Sequence, residues 1–108
     1  MKWYEDYNRF FNVFKNSGIS VDETVFLLKN EEPQKEHYIG FLPEYNKPYW
    51  AGYCDIPNGC EFKTAEELFN AKIYDGKSIK DRWNEIEIYE ISGVAIEEWV
   101  TVFGIEVY

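Results

Sequence analysis

The sequence predicts an α+β domain, in which a mostly antiparallel sheet of about five strands carries an N-terminal amphipathic helix and one or two short helices. Two observations lead to this prediction. Aromatic residues recur at helical spacing at the start of the chain, and three strand-like runs with short connections follow them. The chain has 108 residues, of which 45% are apolar, so it fits one domain, residues 1–108, with a real core.

The first predicted element is a helix over Lys2–Ser17, and Gly18 stands where a C-terminal cap belongs. An aromatic stripe runs along one side of this helix. Because such a stripe must be buried, we expect it to pack on the sheet. The stripe consists of Trp3, Tyr4, Tyr7, Phe10, Phe11 and Phe14.

Three strands are predicted next, at Val21–Lys29, His37–Leu42 and Tyr49–Asp55, because these runs are rich in β-branched and aromatic residues. Short breaks that contain proline separate them, which indicates an antiparallel meander. In the third strand we expect Trp50 to lie in the core. Tyr45, in the loop before it, should be exposed.

Short helices are predicted in the second half of the chain. Thr64 and Glu67 match a capping box, so a helix should follow and run to about Ile73. Ser78 can cap a further helical turn over Ile79–Asn84. Gly76-Lys77-Ser78 resembles the end of a phosphate-binding loop, but alanine stands where the first glycine of that motif belongs, so we reject a phosphate site.

The alternation of acidic and apolar residues predicts a strand over Glu85–Ile91 and a turn at Ser92–Gly93. A helical turn at 97–99 and a last strand at Val100–Tyr108 should follow. Within the first of these strands, alternation assigns two sides. Glu85, Glu87, Tyr89 and Ile91 should share one side, and Ile86, Ile88 and Glu90 the other, which carries the core isoleucines.

The net charge is −9, from 20 acidic and 11 basic residues. Such a charge repels nucleic-acid phosphates and anionic membrane surfaces, whereas it attracts basic proteins. Neither a targeting segment nor an apolar run of about 20 residues is found, so a cytoplasmic protein is expected.

Catalytic and metal-binding signatures are weak. His37 is the only histidine, and neither a Cys-x-x-Cys nor a His-Glu-x-x-His pattern occurs, so we expect no metal and no cofactor. Cys54 and Cys60 flank a turn and are expected to be reduced thiols, although a loop could join them as a disulfide. A pair of His37 with either cysteine is formally possible, but nothing local supports it. We therefore expect a protein that is not an enzyme.

The last 26 residues hold six acids and no base, whereas the first 60 hold nine acids and six bases. This asymmetry favours a partner that carries positive charge, and the neighbouring aromatic residues would supply buried anchors. The predicted partner-binding residues are Glu85, Glu87, Tyr89, Glu97 and Glu98, together with Tyr45.

In size, charge and α+β character the whole chain resembles the small acidic immunity proteins of bacterial toxin systems, including contact-dependent inhibition. The resemblance implies a non-catalytic cytoplasmic protein that neutralises a basic, nuclease-like toxin domain by covering its active site or a nearby exosite. The implied mechanism is electrostatic steering followed by occlusion.

Two other functions stay open. A DNA mimic or regulator from a mobile element would use the same charge with phosphate-like spacing. A small enzyme would act on a sugar or a cationic substrate through Asp55, Glu61 or Asp75, and it would need a deep pocket lined by carboxylates with raised pKa values.

Overall fold

The computed structural model describes residues 2–16 and 22–98, and these residues form one antiparallel sheet with two α-helices. The α+β prediction is therefore confirmed. The helices are α1 (Tyr7–Asn16) and α2 (Ala65–Asn70). The strands are β1 (Thr24–Leu28), β2 (His37–Phe41), β3 (Tyr49–Gly52), β4 (Cys60–Phe62), β5 (Ile86–Ile91) and β6 (Val94–Ala95), in the order β4-β3-β2-β1-β5-β6. Two 3-10 helices lie at Trp83–Glu85 and Ile96–Glu98.

The predicted meander is present, and it continues through a fourth strand before β5 returns to pair with β1. The described residues thus hold six strands rather than about five. Both strands that the prediction missed, β4 and β6, are edge strands of three and two residues, too short to show an alternating pattern. The strand predicted at Val100–Tyr108 lies outside the described residues.

The helix starts and stops differ from the prediction by a few residues. The chain forms turns before α1 begins at Tyr7, and Gly18 lies outside the described residues. The capping box is confirmed, since the Thr64 hydroxyl accepts a hydrogen bond from the Glu67 N–H at 3.1 Å. However, α2 ends at Asn70, because the next residue already adopts an extended conformation. The predicted turn after Ser78 is a turn followed by a 3-10 helix.

The core lies between the helices and one face of the sheet. The aromatic stripe packs there, as predicted, with Phe10 and Phe14 fully inaccessible to solvent, whereas Tyr4, Tyr7 and Phe11 are only partly buried. Both rings also contact Phe69 of α2, at centroid distances of 6.2 and 5.3 Å. Burial of each such ring stabilises the fold by about 2–3 kcal/mol. The indole N–H of Trp83 donates to the Glu5 carbonyl at 2.8 Å and so joins the 3-10 helix before β5 to the segment before α1.

A β-bulge changes the direction of side chains near the end of β5. The pairing of β5 with β1 shifts register between Val25 and Phe26, and Tyr89 is the extra residue. Beyond the bulge, Ile91 turns into the core and is fully buried, while Glu90 is only partly buried. The prediction that Ile91 shares a side with Tyr89 is therefore wrong, because a bulge interrupts the two-residue period of a strand.

Candidate functional site

The sheet face opposite the helices is acidic and aromatic, and we call it the outer face. Its residues follow from strand alternation, since their neighbours in each strand are the ones packed in the core. The outer face consists of Glu23, Tyr38, Trp50, Glu61, Glu87, Tyr89 and Glu90, with the apolar Val25 and Leu27 of β1 between them and with Glu36 and Tyr53 at its border.

Three tyrosines on this face or at its border have rings that a partner protein could contact. The rings of Tyr38 and Tyr53 meet edge to face at 5.1 Å, and 66% of Tyr53 is exposed. The Tyr38 hydroxyl donates to Glu36 at 3.1 Å, and this hydrogen bond raises the pKa of Tyr38. Tyr89, at the bulge, is 46% exposed. Rigid aromatic rings beside carboxylates are well suited to binding a basic partner.

Trp50 lies on the outer face, not in the core, which corrects the expectation from the sequence. Its indole N–H donates to Asp22 at 3.0 Å, and the same carboxylate oxygen accepts the Phe41 N–H at 2.9 Å. The indole lies directly over Gly40, where a Cβ would approach the ring to 2.5 Å. Glycine at this position therefore lets the indole lie flat on the sheet, while Ala51 beside it faces the core.

The structure brings some of the predicted partner-binding residues together and separates others. Glu87 and Tyr89 are both exposed on the outer face, and Glu97 is exposed in the 3-10 helix after β6. Glu98 lies in the same short helix. Tyr45 is 54% exposed in the β2–β3 loop, whose strands lie two and three places away from β5 in the sheet.

Glu85 is engaged within the molecule rather than presented with Glu87. Its carboxylate accepts hydrogen bonds from Arg82 at 3.0 and 3.4 Å, and this pairing is the first cause of its lowered pKa. It lies at the opposite end of β5 from the bulge. The prediction that Glu90 shares the core side with Ile86 and Ile88 is wrong, because the bulge turns Glu90 to the outer face.

A polar cavity of about 470 Å³ lies at the end of the sheet where β1 ends and β2 begins. His37 forms part of its wall and is only 4% exposed. One ring nitrogen lies 2.5 Å from the Tyr53 carbonyl oxygen, and the other lies 2.9 Å from a Glu31 carboxylate oxygen. Both neighbours are acceptors, so only the doubly protonated ring can donate to both of them.

A tight turn fixes one carboxylate of the cavity. Asp75 and Gly76 both have positive φ angles, of 58° and 76°, and they close a small hairpin between Tyr74 and Lys77. Their N–H groups donate to the two oxygens of Asp55, each at 2.9 Å. These bonds hold the pKa of Asp55 below its usual value, so this carboxylate stays ionised.

The other reactive groups of this region are not activated. Cys54 and Cys60 are free thiols. Burial, followed by the neighbouring Cys54, raises the pKa of Cys60 to about 11, which suppresses its thiolate at neutral pH. Tyr74 is 2% exposed, and its hydroxyl has no hydrogen-bond partner among the described residues. Burial raises the pKa of Tyr74 well above its usual value, so the hydroxyl stays neutral.

Metal binding and membrane crossing find no support in the described part of the chain. Residues 2–16 and 22–98 contain no group of three or more His, Cys, Asp or Glu side chains that is placed to hold a metal ion. Over the same ranges, no helix combines the length and the apolar character needed to cross a membrane.

Sequence reasoning missed the cavity because its residues share no local motif. The sequence offers three of its residues only as separate candidates, namely His37, Asp55 and Asp75. Strand pairing and the Tyr74–Lys77 hairpin bring them together. The Asp75-Gly76 pair was the one available signal, since such a pair typically forms a turn whose N–H groups can bind a carboxylate.

Comparisons of the chain with protein-family models, with curated proteins and with solved structures found no match. The function of this chain therefore has to be inferred from its own residues.

Proposed function

We propose that this protein is a protein-binding inhibitor, of the immunity-protein type, whose partner is a basic and nuclease-like toxin domain. The observation that supports the proposal is the outer face, where Tyr38, Tyr53 and Tyr89 stand among carboxylates of β4, β5 and the segments before β1 and β2. We further propose that it acts in the cytoplasm, where the two free thiols would stay reduced.

The mechanism has two stages that use different residues. The net charge of −9 and the carboxylates of the outer face attract a basic partner from a distance and speed its encounter. The tyrosines then bury area against the partner, which supplies affinity that exposed charges alone do not. Inhibition follows because the bound sheet covers the partner's own active site or a surface beside it.

The first experiment is a pull-down from lysate of the source organism, at low and then at high salt, followed by mass spectrometry. We expect one basic protein, captured in stoichiometric amount and weakened by salt. Its association rate with purified protein is then measured by stopped-flow fluorescence at several ionic strengths.

The site is tested by the double variant Glu87→Lys with Glu90→Lys, which reverses two charges of the outer face. We expect association to slow at least tenfold at low salt, with the difference shrinking as salt rises. The matched control is Glu32→Lys with Glu44→Lys, at exposed positions in the β1–β2 and β2–β3 loops, which changes the net charge equally. Equal slowing by the two double variants would show that the outer face is not the contact surface.

One outcome would redirect the proposal. If duplex DNA displaces the captured protein, the alternative of a DNA mimic gains weight. The enzyme alternative required carboxyls of raised pKa in a pocket. Asp55 lies in the cavity with a lowered pKa, and Glu61 lies on the outer face.

A further inference from the structure

Two glycines of the sheet each lie opposite an aromatic residue of the outer face. Gly40 of β2 pairs with Trp50 of β3, and Gly52 of β3 pairs with Tyr38 of β2. The indole fills the space above Gly40, as described above. The space above Gly52 is open, because a Cβ there would meet Trp50 Cζ3 at 3.7 Å and Tyr38 Cβ at 3.9 Å, which are ordinary contacts. We call this opening, between the side chains of Trp50 and Tyr38, the Gly52 notch.

The walls of the Gly52 notch are aromatic side chains that the fold holds in place. Trp50 and Tyr38 are both partly exposed. The Tyr38 ring is held by its edge-to-face contact with Tyr53 and by the hydrogen bond from its hydroxyl to Glu36. The indole is held by the hydrogen bond that its N–H donates. Because both rings are already fixed, a side chain that binds between them pays little for their ordering.

Carboxylates lie beside both walls of the notch. Glu61 of β4 pairs with Trp50 and is exposed, so its side chain is a neighbour of the indole on the same face. Glu36 lies beside the other wall, where it accepts the Tyr38 hydroxyl. The six described strands contain neither lysine nor arginine. Lys63, just after β4, is exposed and forms no ion pair with Glu61 in the described part of the chain.

We propose that the Gly52 notch receives an arginine side chain of the basic partner. The stem of the arginine lies over Gly52, and its guanidinium stacks on the indole and donates N–H groups to Glu61. Lysine fits this arrangement less well, because its ammonium group is not planar and is more strongly hydrated. An apolar side chain would displace water from the carboxylates without supplying a donor. The inference rests on the proposed function, since it names the group with which the partner contacts the outer face.

The first test uses a short peptide and needs no protein partner. The whole chain is titrated with an acetylated and amidated Gly-Arg-Gly peptide, and the indole N–H resonance of Trp50 is followed by NMR. The control peptides carry lysine or citrulline instead of arginine, and citrulline keeps nearly the same shape without the charge. We expect saturable shifts with a Kd on the order of 1–10 mM for the arginine peptide, roughly threefold weaker binding for lysine and none for citrulline.

Substitutions at Gly52 test the notch without changing any charge. The φ angle of Gly52 is not in the positive range, and a Cβ fits there, so the fold should be kept. Gly52→Val fills the notch, and we expect the Kd of the arginine peptide to rise roughly tenfold. Gly52→Ala fills only its floor and should raise the Kd by a smaller factor. Circular dichroism checks that both variants are folded.

Substitutions of carboxylates test the charge beside the notch. Glu61→Gln keeps the size of the side chain but removes its charge, and we expect the Kd of the arginine peptide to rise roughly threefold. Glu44→Gln is the matched control, because it removes the same charge from the exposed β2–β3 loop, at the end of these strands away from Gly52. It should leave the Kd unchanged.

The second test uses the basic protein that the pull-down captures. Gly52→Val should raise the Kd of this complex roughly tenfold through faster dissociation, because contacts are lost while every charge is kept. Its association rate at low salt should stay that of the unsubstituted chain. The Glu87→Lys, Glu90→Lys double variant is expected to slow association instead, so the two sets of variants report on different claims.

Three results would overturn the inference: no saturable shift with the arginine peptide up to about 50 mM, equal binding of the citrulline peptide, or unchanged peptide binding by both Gly52 variants. A captured partner whose Kd is unaffected by Gly52→Val would refute it as well, and would leave the proposed function standing. If no basic protein is captured while the arginine peptide binds as expected, the proposed function fails and the notch remains a site for arginine side chains.

Discussion

Replacing Glu31 by glutamine should destabilise the fold in a pH-dependent way. The Glu31 carboxylate accepts a hydrogen bond from the buried His37 ring at 2.9 Å and another from the Lys35 N–H at 3.1 Å. Glutamine keeps one acceptor oxygen but loses the charge. A hydrogen bond to a charged group contributes about 1.5–3 kcal/mol, and the Glu31 side chain is 22% exposed. We therefore expect a loss of about 1–2 kcal/mol at pH 7.

The sign of the pH dependence follows from the pKa of Glu31. Burial raises this pKa, but the hydrogen bond and charge of His37 and the Lys35 N–H lower it further, so that it lies below its usual value of 4.5. A carboxyl with a lowered folded-state pKa contributes its full stability above the unfolded-state pKa. That contribution is lost as the pH falls through the folded-state value. The penalty of Glu31→Gln should therefore be full near pH 7 and shrink below about pH 4.5.

Urea unfolding followed by tryptophan fluorescence at pH 7 and pH 3 measures this difference. At pH 7 we expect the midpoint to fall by about 1 M, with an unchanged slope. Glu32→Gln, at the neighbouring exposed position, is the matched control and should change the midpoint little. A penalty that is the same at both pH values, or no penalty at pH 7, would refute the role of an ionised Glu31 carboxylate as the acceptor of the His37 hydrogen bond.

Three further predictions concern the core, the outer face and the stability at acidic pH. Phe69→Ala should cost about 3–5 kcal/mol, because the ring is fully buried among the aromatic residues of α1, and thermal unfolding followed by circular dichroism should show a much lower midpoint. Gly40→Ala should cost about 1–3 kcal/mol and shift the fluorescence of Trp50, since its Cβ would overlap the indole. Gly52→Ala, with its nearest neighbour at 3.7 Å, should leave both unchanged. The pKa of Asp81 is lowered to about 2, so its contribution to stability should be present above about pH 4 and be lost between pH 4 and pH 2. The variant Asp81→Asn should lack that part of the acid-unfolding profile.

Local patterns in the sequence were sufficient for the main elements of the fold. The aromatic spacing of α1 and the Thr64 capping box are short-range signals that the structure keeps. The features that the sequence did not predict were either too short to show a pattern or dependent on a partner strand. A two-residue strand such as β6 has no period, and the bulge at Tyr89 exists only in relation to β1.

The two candidate sites were predictable to different degrees. The exposure of Glu87 and Tyr89 followed from alternation, because the two-residue period holds up to the bulge. The cavity could not be predicted, since the contact of His37 with the Tyr53 carbonyl depends on how β2 pairs with β3. The pairing of Glu85 with Arg82 could have been predicted from the sequence, because residues three apart in a helical turn are neighbours.

The position of β1 between β2 and β5 has a consequence for the nascent chain. The neighbours β2, β3 and β4 follow β1 closely in sequence, but β5 is synthesised much later. Until then, one edge of β1 stays open, and its residues Thr24–Leu28 are uncharged and strongly β-forming. A ribosome that stalls before β5 would therefore release a fragment that is prone to aggregate. In the complete sheet, β5 pairs with this edge of β1 and protects it from other chains.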